Sequence, residues 1–416
     1  MKRRAKVWRG AGVFAFGCAV FLHGAQRTTS AADVPKQAAR DGAAMAATVR
    51  AMWPAGVIPG QARPGQWAYE VGTTLDGMAA QYEVAKDPDD LAYIKATVDR
   101  WVDKDGRISV MPGEPFNPAP HTLDNLEPGR AVLFCYRVTG DERYAKAAKY
   151  LFAQFATQPR SPEGGFWHKQ VYPQQMWLDG AYMAEPFRAA YARSFGLDSQ
   201  FDDIAQQLLL MNEHMRDPAT GLLRHGWDAS QRMAWADKQT GLSAESWARA
   251  MGWYAIALVD TLPWFPQGHP ARAQLVAVLG QVAEAVSKYQ DPDTGLWWDV
   301  LDKGNREGNF KEASASAMFV YALAKGVRLG YLPPKYQAVA VRGWNGIESR
   351  FLAQGTDGRL TLHGSVKVSG LGGNPYRAGD YPYYVHEPVG DNDPKGVGAF
   401  LLAASEMEQM AREVKR

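Results

Sequence analysis

The chain has 416 residues, of which 46% are hydrophobic, and a formal net charge of +2. This near balance excludes a polyanion-binding tail, and a nucleic-acid binder would show a basic face and a higher pI. The length suits one large domain or two ordinary ones. Most of the 14 Trp and 18 Tyr residues are expected in a core, although sugar sites also use aromatic faces.

The first residues have the pattern of an export signal. Basic residues precede an apolar stretch at 11–22, which is too short to span a bilayer, and small residues that suit a peptidase follow. We therefore expect residues 1–32 to be removed, leaving a periplasmic or secreted chain at 33–416 with no membrane span. Cys135, the remaining cysteine, is expected to act as a buried small hydrophobe, because a single thiol forms no internal disulfide.

The mature chain is predicted to be helical almost throughout. Apolar residues at 3.6-residue spacing indicate about twelve helices. They lie near residues 36–52, 68–85, 89–102, 126–138, 141–156, 178–194, 199–214, 245–262, 271–289, 312–329, 334–352 and 395–412. Alternation typical of strands is confined to 359–368 and 380–385, where we expect a short hairpin or loop.

The connections between these helices alternate in length. Tight turns follow the even-numbered helices and long loops follow the odd-numbered ones, so hairpins arranged in a ring would place every long loop at one end. Related turn sequences, such as those that begin at Asp217 and Asp291, open the long loops and indicate a repeated unit. We predict a single all-α domain, an (α/α)6 toroid of six helical hairpins. An open α-solenoid is the competing arrangement.

Ionisable and aromatic residues collect where the long loops meet the even-numbered helices, and long loops in a compact domain are usually functional. They are Asp124 before the fourth helix, Trp177 and Asp179 at the sixth, Arg249 and Trp253 at the eighth, and the loop residues His168 and His225. Unrelated surface residues would not be expected to collect in this way. The sequence therefore predicts a site at the mouth of the ring.

The two aspartates are the candidate catalytic groups. Asp179 lies between Leu178 and Gly180, and apolar neighbours disfavour the anion, so we expect it to hold its proton as a general acid does. Asp124, across the ring, would stay ionised and bind hydroxyls, because facing carboxyls push their pKa values apart. The alternative for each aspartate is a helix cap.

The other polar residues are candidates for sugar binding. The guanidinium of Arg249 matches a sugar carboxylate, and Trp253, four residues on, shares its helix face. The alternatives are a salt bridge between Arg249 and Glu245 and core packing for Trp253. His168 and His225 either bind hydroxyls or have a structural role.

Motifs for other chemistry are missing from the sequence. There is no H-E-x-x-H, CxxC, P-loop or dinucleotide-binding glycine motif, and no G-x-S-x-G nucleophile turn. Two loop histidines without spaced cysteines or helical histidine pairs argue against a metal site. We therefore expect neither a metal nor a cofactor.

Four motifs resemble, in chain order, the unsaturated rhamnogalacturonyl hydrolase family (glycoside hydrolase family 105). They are LDNLEPGR with GDERY, MWLDGAYMAEPF, WARAMGWYAIALVDTL and YYVHEPVGDNDPKGVGAFLLA. The similarity runs from residue 67 to the end, and W-x-D-G and W-x-R-x-x-G-W are its most specific parts. Ala250 stands where the family usually has Gly, which changes the packing near Arg249.

The resemblance implies a cofactor-free (α/α)6 barrel that removes a terminal 4,5-unsaturated uronic acid from oligosaccharides made by polysaccharide lyases. It implies that Asp179 is the general acid and base, that Asp124 assists it, and that His168, Trp177, His225, Arg249 and Trp253 contact the sugar. The implied chemistry is hydration of the C4=C5 double bond. The expected partner is an acidic unsaturated oligosaccharide, with no nucleic acid and no obligate protein partner.

Three other functions fit parts of the pattern. An unsaturated glucuronyl hydrolase acting on glycosaminoglycan or ulvan fragments would share the barrel and the acid. A sugar epimerase would need two proton-transfer groups and a cytoplasmic location, which the export signal opposes. A non-catalytic oligosaccharide-binding protein would keep the aromatic residues but would not need both Asp124 and Asp179.

Overall fold

The structure, a computed structural model, describes residues 30, 32–60 and 63–413. The predicted export signal at 1–32 therefore lies outside the described residues, apart from positions 30 and 32. No described helix is both long enough and apolar enough to cross a bilayer.

Within the described ranges the chain forms thirteen α-helices. They are α1 (Val34–Met52), α2 (Tyr69–Ala85), α3 (Pro88–Val98), α4 (Gly129–Thr139), α5 (Glu142–Phe152), α6 (Leu178–Ser194), α7 (Phe201–Met215), α8 (Ala248–Thr261), α9 (Pro270–Lys288), α10 (Ala313–Arg328), α11 (Lys335–Arg350), α12 (Tyr381–Val385) and α13 (Pro394–Glu413). The twelve predicted helices are all present, and α12 is an additional short one.

The helices form two concentric rings. Each inner helix packs against the next, in the order α2, α4, α6, α8, α10 and α13, and α13 packs back against α2. Helices α1, α3, α5, α7, α9 and α11 pack outside this ring. The contact between α13 and α2 closes the ring, so the predicted (α/α)6 toroid is confirmed and the open solenoid is excluded.

Short strands occupy the long loops as four antiparallel pairs within the described part of the chain. They are β1 (Ser109–Met111) with β2 (Glu114–Pro115), β3 (Gln175–Trp177) with β4 (Gly226–Asp228), β5 (Leu352–Gln354) with β6 (Leu360–Leu362), and β7 (Ser365–Val366) with β8 (Val389–Gly390). Strands β6 and β7 lie within 359–368, so this segment contains extended backbone as expected, although the two strands pair with β5 and β8 and not with each other.

The expectation of a hairpin or loop at 380–385 is wrong. Asp380 accepts a hydrogen bond from the backbone N–H of Tyr383 at 3.0 Å, and Pro382 lies in the first turn. Both features favour the start of a helix over a strand, because they satisfy or remove N–H groups that a helix start leaves unpaired. The result is helix α12.

The core fills the space between the two rings. Cys135 of α4 is fully buried there, and burial raises the pKa of its thiol to about 12. It therefore acts as the small hydrophobe that was expected. Each inner helix begins directly after a long loop, so the N-terminal ends of the inner helices all face the same end of the toroid.

Two glycines allow the ring to close. A Cβ on Gly398 of α13 would lie 2.3 Å from the backbone oxygen of Thr73, and one on Gly77 of α2 would lie 2.6 Å from that of Gly398. Such distances are too short for carbon and oxygen atoms. The backbones of α2 and α13 therefore approach more closely than any larger residue would permit.

Gly398→Ala should lower the free energy of unfolding by about 1–3 kcal/mol, because the added methyl group must push α13 away from α2. Gly280→Ala on outer helix α9 is the matched control, since nothing lies within 4 Å of its Cβ position. That change should be neutral or stabilise the protein by up to about 1 kcal/mol. Urea unfolding of both variants measures the difference, and equal stabilities would contradict this account of ring closure.

Candidate active site

Two long loops meet in front of α6. Strands β3 and β4 pair so that Trp177 lies opposite Gly226, and the backbone N–H of Leu178 donates to the carbonyl of His225 at 3.1 Å. A Cβ on Gly226 would lie 3.1 Å from Cδ1 of Trp177, so glycine allows the indole to lie across the strand. This pairing places His225 beside the first turn of α6.

Asp179 and His225 form the first carboxylate–histidine contact. Asp179 is the second residue of α6, and its Oδ2 lies 3.1 Å from Nε2 of His225, although neither atom forms a well-aligned hydrogen bond. Nδ1 of His225 shares a 2.7 Å hydrogen bond with the hydroxyl of Tyr384. The N-cap position belongs to Trp177 and carries no side-chain cap, so Asp179 is not the helix cap that was considered as an alternative.

The expectation that Asp179 holds its proton is wrong for the free protein. Burial by itself raises the pKa of this carboxyl. The two neighbouring histidines outweigh burial and lower the pKa below the ordinary 3.8: His225 acts through its charge and as a hydrogen-bond donor, and His168 acts through its charge. The apolar neighbours in sequence suggested only the burial effect. Two histidines from distant loops reverse its sign, so Asp179 is ionised at neutral pH.

Asp124 forms the second carboxylate–histidine contact. It lies in a single 3-10 turn, Leu123–Asn125, and not at the cap of α4, which is Pro128. Its Oδ1 is 3.3 Å from Nε2 of His168, and its Oδ2 is 2.5 Å from Nζ of Lys169. The lysine compensates the negative charge of Asp124.

Trp177 lies against both histidines. Its indole stacks on the ring of His168 with a centroid distance of 4.7 Å, and meets the ring of His225 edge to face at 5.5 Å. Tyr172 also stacks on Trp177, at 4.9 Å. Trp177 is only 4% exposed, so it fixes the positions of the two rings more than it offers an open face to a sugar.

Arg249 is held by the last long loop. Its N–H groups donate to the carbonyls of Val366 at 2.6 Å and Lys367 at 3.3 Å, and to Oγ of Ser314 at 3.3 Å. It does not form the alternative salt bridge with Glu245. The guanidinium is 1% exposed, so a two-pronged contact with a sugar carboxylate would require these hydrogen bonds to exchange.

Trp253 lies one turn deeper in α8. It is 1% exposed and stacks on Tyr182 with a centroid distance of 4.4 Å. The structure therefore shows it packed in the core, and its contact with a sugar stays a prediction.

A cavity of about 300 Å³ opens beside Asp124. Its walls come from the loop before α2 and from the loops on either side of Asp124, and they include Trp67, Tyr69, Glu70, Asn125 and Lys169. Pockets that hold small ligands start at roughly this size. The cavity provides space for a sugar next to the carboxylate.

The two carboxylates are the accessible members of the predicted set. The side chains of Asp179 and Asp124 are 13% and 16% exposed, whereas His168 is 3% exposed and His225 is fully buried. The histidines and aromatic rings therefore form walls around the two carboxylates. Among the described residues, no group of three His, Cys, Asp or Glu side chains could hold a metal ion.

Three residues beside the predicted set were not predicted from the sequence. Lys169 is next to His168 in the chain, and Tyr384 lies within the YYVHEP motif, so both could have been suggested from the motifs. No motif in the sequence suggested Asp299. It is fully buried and accepts a hydrogen bond from Nε1 of Trp247, whose ring lies 4.8 Å from that of His225.

His168 should make stability depend on pH. Burial lowers its pKa from 6.5 to about 4, so the folded state favours the neutral ring. This contribution is present above pH 6.5 and is lost as the pH falls from 6.5 to 4, by about 3 kcal/mol. Urea unfolding across this range should give a flatter pH dependence for His168→Gln than for the wild type. The exposed His386→Gln is the control, and an unchanged slope in His168→Gln would refute the assignment.

The chain is similar to proteins of known family. The model of Glycosyl Hydrolase Family 88 matches residues 53–411. A solved glycoside hydrolase of family 105 from C. acetobutylicum is 40% identical, with a TM-score of 0.84 over 88% of this chain and 99% of that chain.

Two further relatives are similar to parts of the chain. A 24.9 kDa protein in the picA locus of Rhizobium radiobacter is 37% identical over 55% of this chain and 100% of its own length. The unsaturated rhamnogalacturonyl hydrolase YesR of Bacillus subtilis is 28% identical over 63% of this chain and 72% of its own length. The family model that matches most of the chain and the 40% identical solved structure show that the chain belongs to the group of glycoside hydrolase families 88 and 105.

Proposed function

We propose that this hydrolase removes a terminal 4,5-unsaturated uronic acid from lyase-generated, rhamnogalacturonan-derived oligosaccharides by hydrating the C4=C5 double bond. The observation that carries the proposal is the pair of partly accessible carboxylates, Asp179 with His225 and Asp124 with His168 and Lys169, at the mouth of the ring. The rhamnogalacturonan substrate is supported by the sequence motifs and by the likeness to the B. subtilis enzyme.

Asp179 supplies the proton. Protonated Asp179 donates it to C4, and positive charge develops at C5 and the ring oxygen. Asp179, now a carboxylate, accepts a proton from water as its oxygen bonds to C5. The resulting hemiketal opens by cleavage of its C5–O5 bond, which leaves a ketone at C5 and a hemiacetal hydroxyl at C1. This hemiacetal collapses to an aldehyde, and the neighbouring sugar leaves from C1 with the hydroxyl proton. One carboxyl thus acts as acid and then as base, so the spacing rule for paired glycosidase carboxylates does not apply.

The low pKa of Asp179 in the free protein is compatible with its two roles in this reaction. A carboxylate that is ionised in the free state is ready for the base step. For the acid step, the bound substrate brings its own carboxylate and excludes water, and both effects raise the pKa of a nearby carboxyl. Proton uptake by Asp179 is therefore coupled to binding of the acidic sugar.

Asp124 and Arg249 serve binding in this proposal. The carboxylate of Asp124 lies beside Lys169 and accepts hydrogen bonds from sugar hydroxyls in the adjoining cavity. Arg249 attracts the carboxylate of the substrate and, when its bonds to Val366 and Lys367 exchange, can bind it directly.

A buried chain of contacts holds His225 in line with Asp179. Oδ1 of Asp299 accepts a hydrogen bond from Nε1 of Trp247 at 3.0 Å, and the indole packs against His225. The same indole stacks with Tyr384, whose hydroxyl bonds Nδ1 of His225. Burial raises the pKa of Asp299 well above its ordinary value, which favours the neutral form of the carboxyl behind the histidine.

Asp179→Asn should keep the fold but lower kcat by roughly 10²–10⁴-fold, because it removes the proton donor. Turnover is measured as loss of the ultraviolet absorbance of the conjugated C=C–COOH group in an unsaturated rhamnogalacturonan disaccharide. Exposed Asp198→Asn is the matched control and should leave turnover unchanged. Near wild-type turnover in Asp179→Asn would refute the assignment.

The same assay separates the alternatives. Loss of absorbance with an unsaturated glucuronyl disaccharide, but not with the rhamnogalacturonan one, would keep the mechanism and change the substrate to glycosaminoglycan or ulvan fragments. Retained binding without turnover of either would favour a non-catalytic binding protein. The proposed periplasmic or secreted location is tested by N-terminal sequencing of the mature chain, which should begin near residue 33.

Asp299→Leu should lower kcat about tenfold with little change in KM, because Trp247 and then His225 lose their fixed positions. The alkaline limb of the pH profile should move to higher pH, since Asp179 must be protonated to donate and a displaced His225 no longer lowers its pKa. Asp299→Asn keeps an acceptor for Trp247 and should behave like the wild type. An unchanged pH profile in Asp299→Leu would show that Asp299 has only a structural role.

A further inference from the structure

Glu312 is a buried carboxylate that has no part in the proposed reaction. It lies directly before α10, and its side chain is fully buried. Its Oε2 accepts a hydrogen bond from the backbone N–H of Ala315 at 2.6 Å, and its Oε1 accepts one from the backbone N–H of Val366 at 3.0 Å. The hydroxyl of Ser314 donates to the same carboxylate, at 2.9 Å from Oε1 and 2.8 Å from Oε2. The carboxylate therefore links the start of α10 to strand β7 of the last long loop.

Two of these three partners also contact Arg249. Its Nη1 donates to the carbonyl of Val366 at 2.6 Å and to Oγ of Ser314 at 3.3 Å. A serine has one hydroxyl proton, so donation to Glu312 leaves the lone pairs of Oγ to accept from Arg249. Val366 is held on both sides, because its N–H bonds Glu312 and its C=O bonds Arg249. Glu312 thus fixes both groups that hold Nη1.

The alternative is that Glu312 only caps α10. Its bond to Ala315 satisfies an N–H that a helix start leaves unpaired, and this bond alone would explain a carboxylate at the position. A cap does not require Oε1, which bonds Val366 and Ser314. The two accounts differ in whether the loss of Glu312 affects Arg249.

We propose that Glu312 is a positioning residue that holds Arg249, through Ser314 and Val366, in place for the carboxylate of the substrate. The role rests on the proposed function, in which Arg249 releases the carbonyls of Val366 and Lys367 as it binds the acidic sugar. During this exchange the hydroxyl of Ser314, fixed by Glu312, keeps Nη1 at the mouth. A guanidinium that is already held in position loses less freedom when the ligand binds, which improves affinity.

Glu312→Gln should raise KM for the unsaturated rhamnogalacturonan disaccharide about tenfold with little change in kcat, because it weakens the hold on a charged group that serves binding. The glutamine amide has one oxygen, and its NH2 group cannot accept from the N–H of Val366. Steady-state kinetics on the full mature chain measures both constants. An unchanged or lowered KM would overturn the inference.

Ser314→Ala is a milder test that keeps the cap of α10. It removes only the hydroxyl between the carboxylate and the guanidinium, and it should raise KM about threefold, as expected for the loss of one hydrogen bond. Ser316→Ala is the matched control. Its hydroxyl is also buried and donates to the backbone carbonyl of Glu312 at 2.7 Å, so this change should leave KM unchanged. Equal KM values in the two alanine variants would contradict the proposed role.

Arg249→Gln separates positioning from capping. In the Arg249→Gln background, the further change Glu312→Gln should raise KM less than about twofold, because no guanidinium remains to be held. A residue that acts only as a cap would raise KM by the same factor with either residue at position 249. Equal factors would therefore show a structural role and overturn the inference.

Urea unfolding tests the link between the two residues without any substrate. The double variant should shift the unfolding midpoint by less than the sum of the shifts of Glu312→Gln and Arg249→Gln, because both changes break the same chain of bonds. Additive shifts would overturn the inference even in an active hydrolase. An absence of turnover in the wild type would instead overturn the proposed function, and the midpoints would still decide whether Glu312 holds Arg249.

Discussion

Closure of the inner ring is the constraint on which the rest of this structure depends. Gly77 and Gly398 let α2 and α13 approach closely enough to complete a circle of six parallel helices. A closed circle places six helix N-termini around one opening, and each N-terminus carries a partial positive charge. An opening of this kind favours an acidic ligand before any particular side chain is considered, which agrees with the acidic sugar in the proposed function.

The chemistry at this opening depends on a competition between burial and charge. Burial alone would keep Asp179 protonated, as its neighbours in sequence suggested, but His225 and His168 reverse the direction of the shift. Trp177 packs against both histidines and so couples the two carboxylate–histidine pairs. Because this balance is set by ring positions, we expect changes at Trp247 or Asp299 to affect Asp179 through His225.

Much of this structure followed from the sequence because it depends on local patterns. Apolar periodicity located the twelve main helices, and the alternation of short and long connections predicted the toroid. The pattern did not predict α12, since a capping aspartate and a proline outweighed an alternating segment of aromatic residues. The candidate site residues were proposed because they collect at the starts of even-numbered helices, and their roles stay predictions.

The errors about the site arise from contacts between distant loops. His225 is 46 positions from Asp179 in the chain, and no periodicity shows that strands β3 and β4 bring them together. The bonds from Arg249 to Val366 and Lys367 cross from α8 to the last long loop, which a helix pattern does not predict. The ionisation of Asp179 and the availability of the Arg249 N–H groups depend on such contacts, so neither could be predicted from motifs alone.

Polar and charged side chains along the axis of the barrel connect its two ends. Tyr182, one turn below Asp179 in α6, donates a hydrogen bond to Asp76, and Arg130 joins Asp76 to Asp260 on the opposite wall. Buried ion pairs contribute little net stability compared with well-packed apolar side chains, because desolvation offsets their attraction. Their directional bonds instead fix the spacing of α2, α4, α6 and α8. The same bonds therefore hold the first turns of these helices in position around the mouth, where the proximity of His225 and His168 outweighs burial and lowers the pKa of Asp179.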